Sequence, residues 1–438
     1  MKNYLSLLLT GKKVLILGYG KEGHSTLNFL NNISVDADIT VSDFNPNAFV
    51  NDALINETGV KTISGDDYLD SINQADIIIK SPGIKLNRED FNLNKRTLTS
   101  QTDLFLAVYG RQITGITGTK GKSTTASLIA HILKSYYPDT LFGGNIGIPL
   151  FDLLPSIKPE SKIVCELSSH QLEFVRHSPH IAILLNLFQE HLDHYKNFEE
   201  YQKAKYNIAV YQKENDHFIY NSNDPLISAL VHNFPVKGEK IPLSPDLYKI
   251  LPEDLVISLP GAHNRFNAEI AAAATVLQGV PVDTIIEAIQ AFKPLSHRME
   301  FLGTFKSVRY YNDSISTIPE AAIAAIESLK PVDTIILGGF DRGIDYSILA
   351  EYLKKGNVRN VVTTGPAGLH IFNMISEIEA IEELHYFDKF DAAVKKAIEL
   401  TPQNGICLLS PAASSYNEFV NFEARGKRFM ELVKEKNE

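Results

Sequence analysis

Residues 111–136, RQITGITGTKGKSTTASLIAHILKSY, constrain the fold more than any other stretch of the chain. An apolar, β-branched run ends in the turn Gly118-Thr119-Lys120-Gly121-Lys122-Ser123, and a helical pattern follows with Leu128, Ile129, Ile132 and Leu133 on one face. Strand, glycine turn and helix N-terminus together make a phosphate cradle. Backbone N–H groups and the helix dipole favour an anion there, the lysine reaches a terminal phosphate, and the serine hydroxyl holds Mg²⁺. Ile116 stands where the strict pattern has its first glycine, so the loop is read as a variant in which Gly118 supplies the tight turn. The competing reading is a plain βα turn that is rich in glycine.

The 438 residues suggest two to four domains, and 44% apolar with 21% charged residues is the composition of a soluble globular protein. A net charge of −10 gives no general attraction to nucleic acid or to an anionic membrane, so neither is an expected partner. Cys165 and Cys407 both lie in apolar, strand-like runs and read as buried thiols in a reducing compartment. The opening MKNYLSLLLTGKK has a short apolar patch, but a glycine turn and a strand follow it. Neither a signal peptide nor a transmembrane span is read there, and the cytoplasm is the expected location.

Upstream of the phosphate loop, a strand at 13–18 runs into Gly18-Tyr19-Gly20-Lys21-Glu22-Gly23 and a helix, and a strand at 38–42 ends at Asp43. This fingerprint, with an acid twenty residues on, fits a dinucleotide such as NAD, and equally a glycine turn needed only for helix–strand packing. A strand at 75–80 leads to Ser81-Pro82-Gly83, and the first domain is placed at 1–105. Downstream come Gly143-Gly144-Asn145-Ile146-Gly147, then a strand at 162–167 carrying Glu166, well placed to hold Mg²⁺ opposite the loop. Ser169 with Glu173 reads as a helix N-cap and its capping acid. After a strand at 181–187, His191 and His194 invite a zinc reading, but no third ligand of matching spacing follows. A helix at 198–211 carries Lys203 and Lys205, and Asn264 and Asn267 open an alanine-rich helix, as caps or as hydrogen-bond partners of a base. The second boundary is placed near Pro294. Strands and helices alternate again from 308 to 409, which argues for a third open parallel sheet and for a last helix starting near Asn417.

The strings GITGTKGKST, GGNIG, ELSSHQLE, LNLFQEHLDHY, YQKAKYN, GAHNRFN, LSHRMEF, YYNDSIST and LSPAASSYNEFVNFEARG, in this order, resemble the Mur ligases of peptidoglycan synthesis. The resemblance implies an α/β chain of three domains, each on a mostly parallel sheet. These are a Rossmann-like domain at 1–105 for UDP, a central P-loop domain at 106–294 for ATP, and a Rossmann-like domain at 295–438 for glutamate. The closing SPA…NFEARG segment matches the member that adds glutamate to UDP-N-acetylmuramoyl-L-alanine.

Carried over residue by residue, the resemblance assigns Gly18, Gly20, Gly23, Asp43, Ser81 and Gly83 to the UDP part, in place of NAD. It assigns Asn145, Ser168, Gln171 and His191 to the muramoyl-alanine end. ATP would meet Gly118, Thr119, Lys120, Gly121, Lys122, Ser123, Thr124, Asn264, Asn267, Arg298 and Asp313, with His297 a catalytic neighbour. Two Mg²⁺ are implied, one on Ser123 and Glu166 and one on His191, with Lys205 as a carbamylated ligand. A free lysine titrates near ~10.4, so carbamylation needs surroundings that favour the neutral amine. Thr317, Ser414, Ser415 and Phe422 would lie near the incoming glutamate. The chemistry implied is phosphorylation of the alanyl carboxylate followed by attack of the glutamate amine, by a monomer with no nucleophile of its own.

One string departs from the family. Its usual Asp-Ser-Lys-Ala-Thr reads Asp313-Ser314-Ile315-Ser316-Thr317 here, and Ile315 cannot pair with a carboxylate. Arg342, in GGFDRG, has a fork able to grip one. D-glutamate remains the expected substrate and L-glutamate the alternative. Rivals from other classes are an NAD-dependent oxidoreductase and a nucleotide-binding regulator without catalysis. A folylpolyglutamate synthetase-like enzyme shares the central domain alone.

Overall fold

Three sheets follow one another along the chain, and each puts its strand C-termini where the sequence motifs fall. The computed structural model describes residues 1–86, 96–145, 148–191, 194–244, 250–257, 261–293 and 296–437. The first sheet contains β1 (Lys13–Leu17), β2 (Asp38–Asp43), β3 (Lys61–Ser64), β4 (Ile77–Lys80) and β5 (Thr97–Thr99), in the order β3-β2-β1-β4-β5. Every pairing in it is parallel. β1 is continuously apolar after Lys13 because helices cover both faces of such a sheet.

The second sheet contains β6 (Ile113–Thr117), β7 (Leu141–Gly144), β8 (Ile163–Glu166), β9 (Ile181–Leu184), β10 (His217–Asn221) and β11 (Glu239–Leu243). Its order is β11-β10-β9-β6-β8-β7, again wholly parallel, with β6 flanked by β9 and β8. β6 feeds the glycine turn and helix Lys122–Tyr136, against which helix Val282–Ala291 packs.

The third sheet contains β12 (Glu300–Phe305), β13 (Val308–Asn312), β14 (Val332–Gly338), β15 (Val358–Thr364), β16 (Glu383–Phe387) and β17 (Ile406–Leu409). The order is β12-β13-β17-β14-β15-β16, with β12 antiparallel and the others parallel. Ligands of such sheets sit beyond the strand C-termini.

The chain divides into two compact units, residues 1–256 with 263–292, and residues 257–262 with 293–438. The α/β class with three parallel-rich sheets agrees with expectation. The division expected at 105/106 falls inside helix Gln101–Tyr109, and Pro294 lies outside the described residues. Lys2–Leu9 is a helix with Leu5 and Leu9 wholly buried. No helix among the described residues is long and apolar enough to cross a membrane. Both cysteines are free and buried.

Two local expectations need correction. The N-cap of helix Ser169–Leu172 is Ser168, closed by a capping box with Gln171 rather than by Ser169 and Glu173. The last helix begins at Phe422, not near Asn417. The Ser415 carbonyl first accepts the N–H groups of Glu418 and Phe419 in a turn, and Asn421 Oδ1 then accepts the Ala424 N–H.

Candidate active site

The glycine turn after β6 is built as an anion cradle. Gly118 and Gly121 have φ of +155° and +81°, and a Cβ on Gly118 would come within 2.9 Å of the Leu185 Cβ. The turn is clamped from the end of β9: Asn186 Oδ1 accepts the Lys120 N–H at 2.8 Å, and its Nδ2 donates to the Lys120 carbonyl at 3.0 Å. Thr119 Oγ1 meets the Tyr201 hydroxyl at 3.0 Å and accepts the Phe188 N–H at 2.9 Å. The opening N–H groups of helix Lys122–Tyr136, where Ser123 and Thr124 stand, have no intrahelical acceptors. Asn267 closes the cradle from helix Ala262–Val276. Its amide lies 3.2 Å from where a Cβ on Gly121 would be, and it donates to Asn264 Oδ1 at 3.3 Å.

Two lysine amines converge on this turn. Lys122 Nζ donates to the carbonyls of Gly118 and Thr119, both at 2.9 Å, and Lys205 Nζ donates to the same Gly118 carbonyl at 2.8 Å. Lys205 is buried, with Nζ 4.9 Å from the centre of the Tyr201 ring. Burial, and then the charge of Lys122, push its pKa well below the ordinary lysine value. Lys120 is neutralised by Glu190 at 2.5 Å.

Beside the cradle, β8 pairs with β6 so that Glu166 stands opposite Ile116. Glu166 Oε1 accepts from Asn145 Nδ2 at 2.8 Å, whereas Oε2 is enclosed and lacks a hydrogen-bond partner among the described residues. An enclosed carboxylate oxygen without a donor is a costly arrangement unless a cation completes it. With the Ser123 hydroxyl at the helix start, these groups fit a divalent ion bound through oxygen. Gly144 makes this approach possible: its φ is +98°, and a Cβ there would strike the Glu166 carbonyl. Ile146 and Gly147 of that string lie outside the described residues, as do Leu192 and Asp193. His191 has φ of +59° and is half-exposed, its ring 4.7 Å from that of His170. His194 Nε2 lies 3.1 Å from Glu173 Oε2. Among the described residues, no three His, Cys, Asp or Glu side chains are grouped to hold a metal by themselves.

The first sheet meets the segment after β8. Gln171 Nε2 donates to Glu22 Oε1 at 2.6 Å, and Lys80 Nζ lies 3.5 Å from Glu173 Oε2. At the glycine turn, Asp43 accepts the Tyr19 N–H at 2.6 Å and the Asn45 N–H at 2.8 Å, and Ser81 Oγ donates to the Gly18 carbonyl at 2.7 Å. A Cβ on Gly23 would collide with the Gly18 carbonyl, so this glycine lets helix and strand close up. A cavity of about 480 Å³ opens there, lined by Tyr19, Gly20, Lys21, His24, Asp52 and Asp152 among others. A Cβ on Gly83, in the turn after β4, would meet nothing within 4 Å.

In the second unit, Asp313 follows β13. Its Oδ2 accepts from Ser410 Oγ at 2.7 Å and its Oδ1 from the Met299 N–H at 3.1 Å. Burial lifts its pKa to about 6, opposed by the Ser316 and Ser410 hydroxyls and by Arg298. His297, at φ +63°, has Nδ1 2.8 Å from Asn312 Nδ2. That amide also donates to the Gly426 carbonyl at 3.2 Å, so Nδ1 accepts and the ring proton sits on Nε2. Arg342 donates to the Thr317 carbonyl at 3.2 Å. Ser414 and Ser415 are buried, and Ser414 Oγ is enclosed without a partner among the described residues. The Phe422 carbonyl accepts from Ser314 Oγ at 2.8 Å, and Ile315 holds the His297 carbonyl through its N–H at 3.1 Å.

Three family models match successive parts of the chain. They are Mur ligase MurD-like, N-terminal domain, over residues 12–97; Mur ligase middle domain, over 116–275; and Mur ligase, glutamate ligase domain, over 297–413. The UDP-N-acetylmuramoylalanine–D-glutamate ligase of Clostridium botulinum (strain Langeland) is 31% identical over 449 residues, covering 96% of each chain. The chain belongs to the Mur ligase family. A ligase of the same name from Halalkalibacterium halodurans is 30% identical over 443 residues, 96% of this Mur ligase and 97% of its own chain. The fold is also that of UDP-N-acetylmuramate-alanine ligase MurC from Thermotoga maritima, with a TM-score of 0.59 at 18% identity, covering 97% and 100% of the two chains.

Several groups in this Mur ligase escaped the reading of its motifs. Among the described residues, Arg425 is the largest fully buried side chain, and none of its hydrogen-bond partners there is a carboxylate. It donates to Ser314 Oγ (3.0 Å) and to the carbonyls of Ser314 (2.8 Å), Ala413 (3.0 Å) and Ser414 (3.1 Å), tying the loops after β13 and β17 together. Its place in the NFEARG string was the available signal. Asn186, Tyr201, Glu22 and Lys80 had none, because their partners are distant in sequence.

Proposed function

We propose that this Mur ligase is an ATP-dependent ligase that joins glutamate to the alanyl carboxyl of UDP-N-acetylmuramoyl-L-alanine in cytoplasmic peptidoglycan precursor synthesis. Residues 1–105 take the UDP part, 106–294 take ATP and the acyl end, and 295–438 take glutamate, in a monomer. The observation that carries the reading is the convergence of Lys122 and Lys205 on the Gly118 carbonyl beside the unpartnered Glu166 oxygen. The Lys122 cation and an anion-seeking turn suit a γ-phosphoryl group, and the Glu166 carboxylate, with Lys205 once carbamylated, suits the ion that accompanies it. Gly118, Thr119, Gly121, Ser123 and Thr124 cradle the triphosphate, and Asn264 and Asn267 border it. Arg298, Asp313 and His297 complete the ATP and catalytic set.

The alanyl carboxylate attacks the γ-phosphorus, ADP leaves, and an acyl phosphate results. The glutamate amine then attacks the acyl carbon, and inorganic phosphate and a proton leave through a tetrahedral intermediate. No protein nucleophile is required, so positioning and fixed charge do the catalysis. Mg²⁺ held by Ser123 and Glu166, and a second ion by His191, would neutralise the developing phosphate charge. Lys205 is the proposed carbamate. Its surroundings favour the neutral amine, which adds to CO₂ with loss of a proton and becomes an anion able to face a cation. Gly18, Gly20, Gly23, Asp43, Ser81 and Gly83 hold the nucleotide diphosphate. Asn145, Ser168, Gln171 and His191 orient the acyl end.

Thr317, Arg342, Ser414, Ser415 and Phe422 form the amino-acid site, and the relatives' names favour D-glutamate. L-Glutamate is the second reading, kept open by Ile315, whose apolar side chain cannot pair with a carboxylate as the fork of Arg342 can. Phosphate release is to be measured with ATP, UDP-N-acetylmuramoyl-L-alanine and either enantiomer. Release that needs both the UDP-sugar and glutamate supports the ligase. Release without them, or reduction of NAD, rejects it.

A further inference from the structure

A carboxyl that the proposed chemistry does not use joins the first-sheet turn to the segment after β8. Glu22 Oε1 accepts from Gln171 Nε2 at 2.6 Å, and Gln171 Oε1 in turn accepts the Ser168 N–H at 2.9 Å and the Ser168 hydroxyl at 3.2 Å. An amide has one accepting and one donating end, so the Glu22 contact and the Ser168 N–H together hold Gln171 in one orientation. Glu22 Oε2 is enclosed and has no hydrogen-bond partner among the described residues.

The charges around Glu22 do not balance if it is ionised. From β4, Lys80 faces it, but Lys80 is already paired with Glu173, which also holds His194. Gln101, from helix Gln101–Tyr109, donates to the Glu22 backbone carbonyl at 3.2 Å and brings no charge. Lys21, on the same turn, is exposed. An ionised Glu22 therefore places negative charge in the first turn of helix Lys21–Asn32, where it competes with an incoming anion for the same helix end. Burial lifts its carboxyl to about 7, against the Gln171 hydrogen bond and the Lys80 charge.

We propose that Glu22 is a positioning residue that couples docking of the anionic nucleotide-diphosphate end on the 18–23 turn to the orientation of Gln171 and Ser168, and that it takes up a proton as the diphosphate docks. The inference rests on the reading that this turn holds a diphosphate. Negative charge arriving near a carboxyl favours its neutral form, and by linkage the neutral form binds the anion more tightly. Affinity for the UDP-sugar is therefore highest below about pH 7 and falls above it, approaching tenfold per pH unit.

The test is calorimetric titration of the full chain with UDP-N-acetylmuramoyl-L-alanine near pH 8, in two buffers of different ionisation enthalpy, alongside steady-state kinetics. Wild type should take up a proton on binding. Glu22→Gln still accepts from Gln171 but cannot titrate, so it should take up none and show a KM for the UDP-sugar that is flat with pH. Glu22→Ala loses the anchor, and its KM for the UDP-sugar should rise by about tenfold at every pH with the KM for ATP unmoved. Proton uptake by Glu22→Gln equal to that of wild type overturns the proposal, as does an unchanged UDP-sugar KM in Glu22→Ala. If Glu22→Ala does not fold, the isosteric Glu22→Gln decides alone. Failure of wild type to bind the UDP-sugar at all would instead reject the functional reading.

Discussion

Replacing Arg425 with methionine tests what a buried, unmatched guanidinium contributes to the second unit. Methionine keeps most of the stem and its packing but removes every donor. Ser414's carbonyl would still accept the Phe340 N–H at 2.8 Å, and Ser314 Oγ would still donate to Phe422. The carbonyls of Ser314 and Ala413 would lose the guanidinium N–H groups that serve them at 2.8 and 3.0 Å. Two buried carbonyls without donors cost about 2–6 kcal/mol together. Relief from burying the charge returns part of this, because a guanidinium facing only neutral acceptors bears a real desolvation cost. A net loss of about 3 kcal/mol is expected, a fall in Tm of about 6–12 °C for a unit of this size. Urea denaturation followed by circular dichroism measures it, since the chain has no tryptophan to report. KM for glutamate should rise in the same variant, because Ser414 and Ser415 sit on a loop that the guanidinium holds. A variant as stable as wild type, with its glutamate KM intact, refutes the reasoning.

Other outcomes follow from the same geometry. Lys122→Ala should retain the fold and lose at least about 10²-fold in kcat, since it removes one of the charges aimed at the phosphoryl group; near-normal ligation by it rejects the mechanism. Gly144→Ala forces a Cβ into the Glu166 carbonyl at a positive φ, and should lower both Tm and turnover. Asp313 has a raised pKa, so the stability it contributes is full below its unfolded value and is lost as pH rises through about 6. The stability of Asp313→Asn relative to wild type should therefore improve by about 2 kcal/mol between pH 4 and 7, as read from urea midpoints. A gap that does not change with pH removes Asp313 from the titrating groups.

Much of the architecture was legible because apolar runs and glycine turns alternate. Helix Pro319–Leu329 and strand β17 fall in the alternation expected from 308 to 409, the first opened by a proline at its start and the second wholly buried. What escaped notice lacks such signals. Helix Pro225–Asn233 is short, and its Asp224 cap and first-turn proline resemble a loop. Helix Gly365–Ile375 opens with Gly-Pro, ordinarily a break, yet the proline occupies a position where its missing N–H costs nothing. Strands β3 and β16 are edges with mixed, half-exposed side chains, and so show no apolar run. The phosphate cradle was visible as a local string. The roles of Glu22 and Arg425 were not, because each is defined by partners 149 and 111 residues away, such as Gln171 and Ser314.

The first unit is discontinuous in the chain: residues 263–292 return to it after 257–262 have joined the second unit. Those returning residues bring Asn267 to Gly121 and seat helix Val282–Ala291 against the helix that starts at Lys122. During synthesis the nucleotide-binding half must therefore wait, its cradle open on one side, until roughly two-thirds of the polypeptide has left the ribosome. A fragment cut at residue 256 would hold every residue of the glycine turn and still lack the wall that closes it.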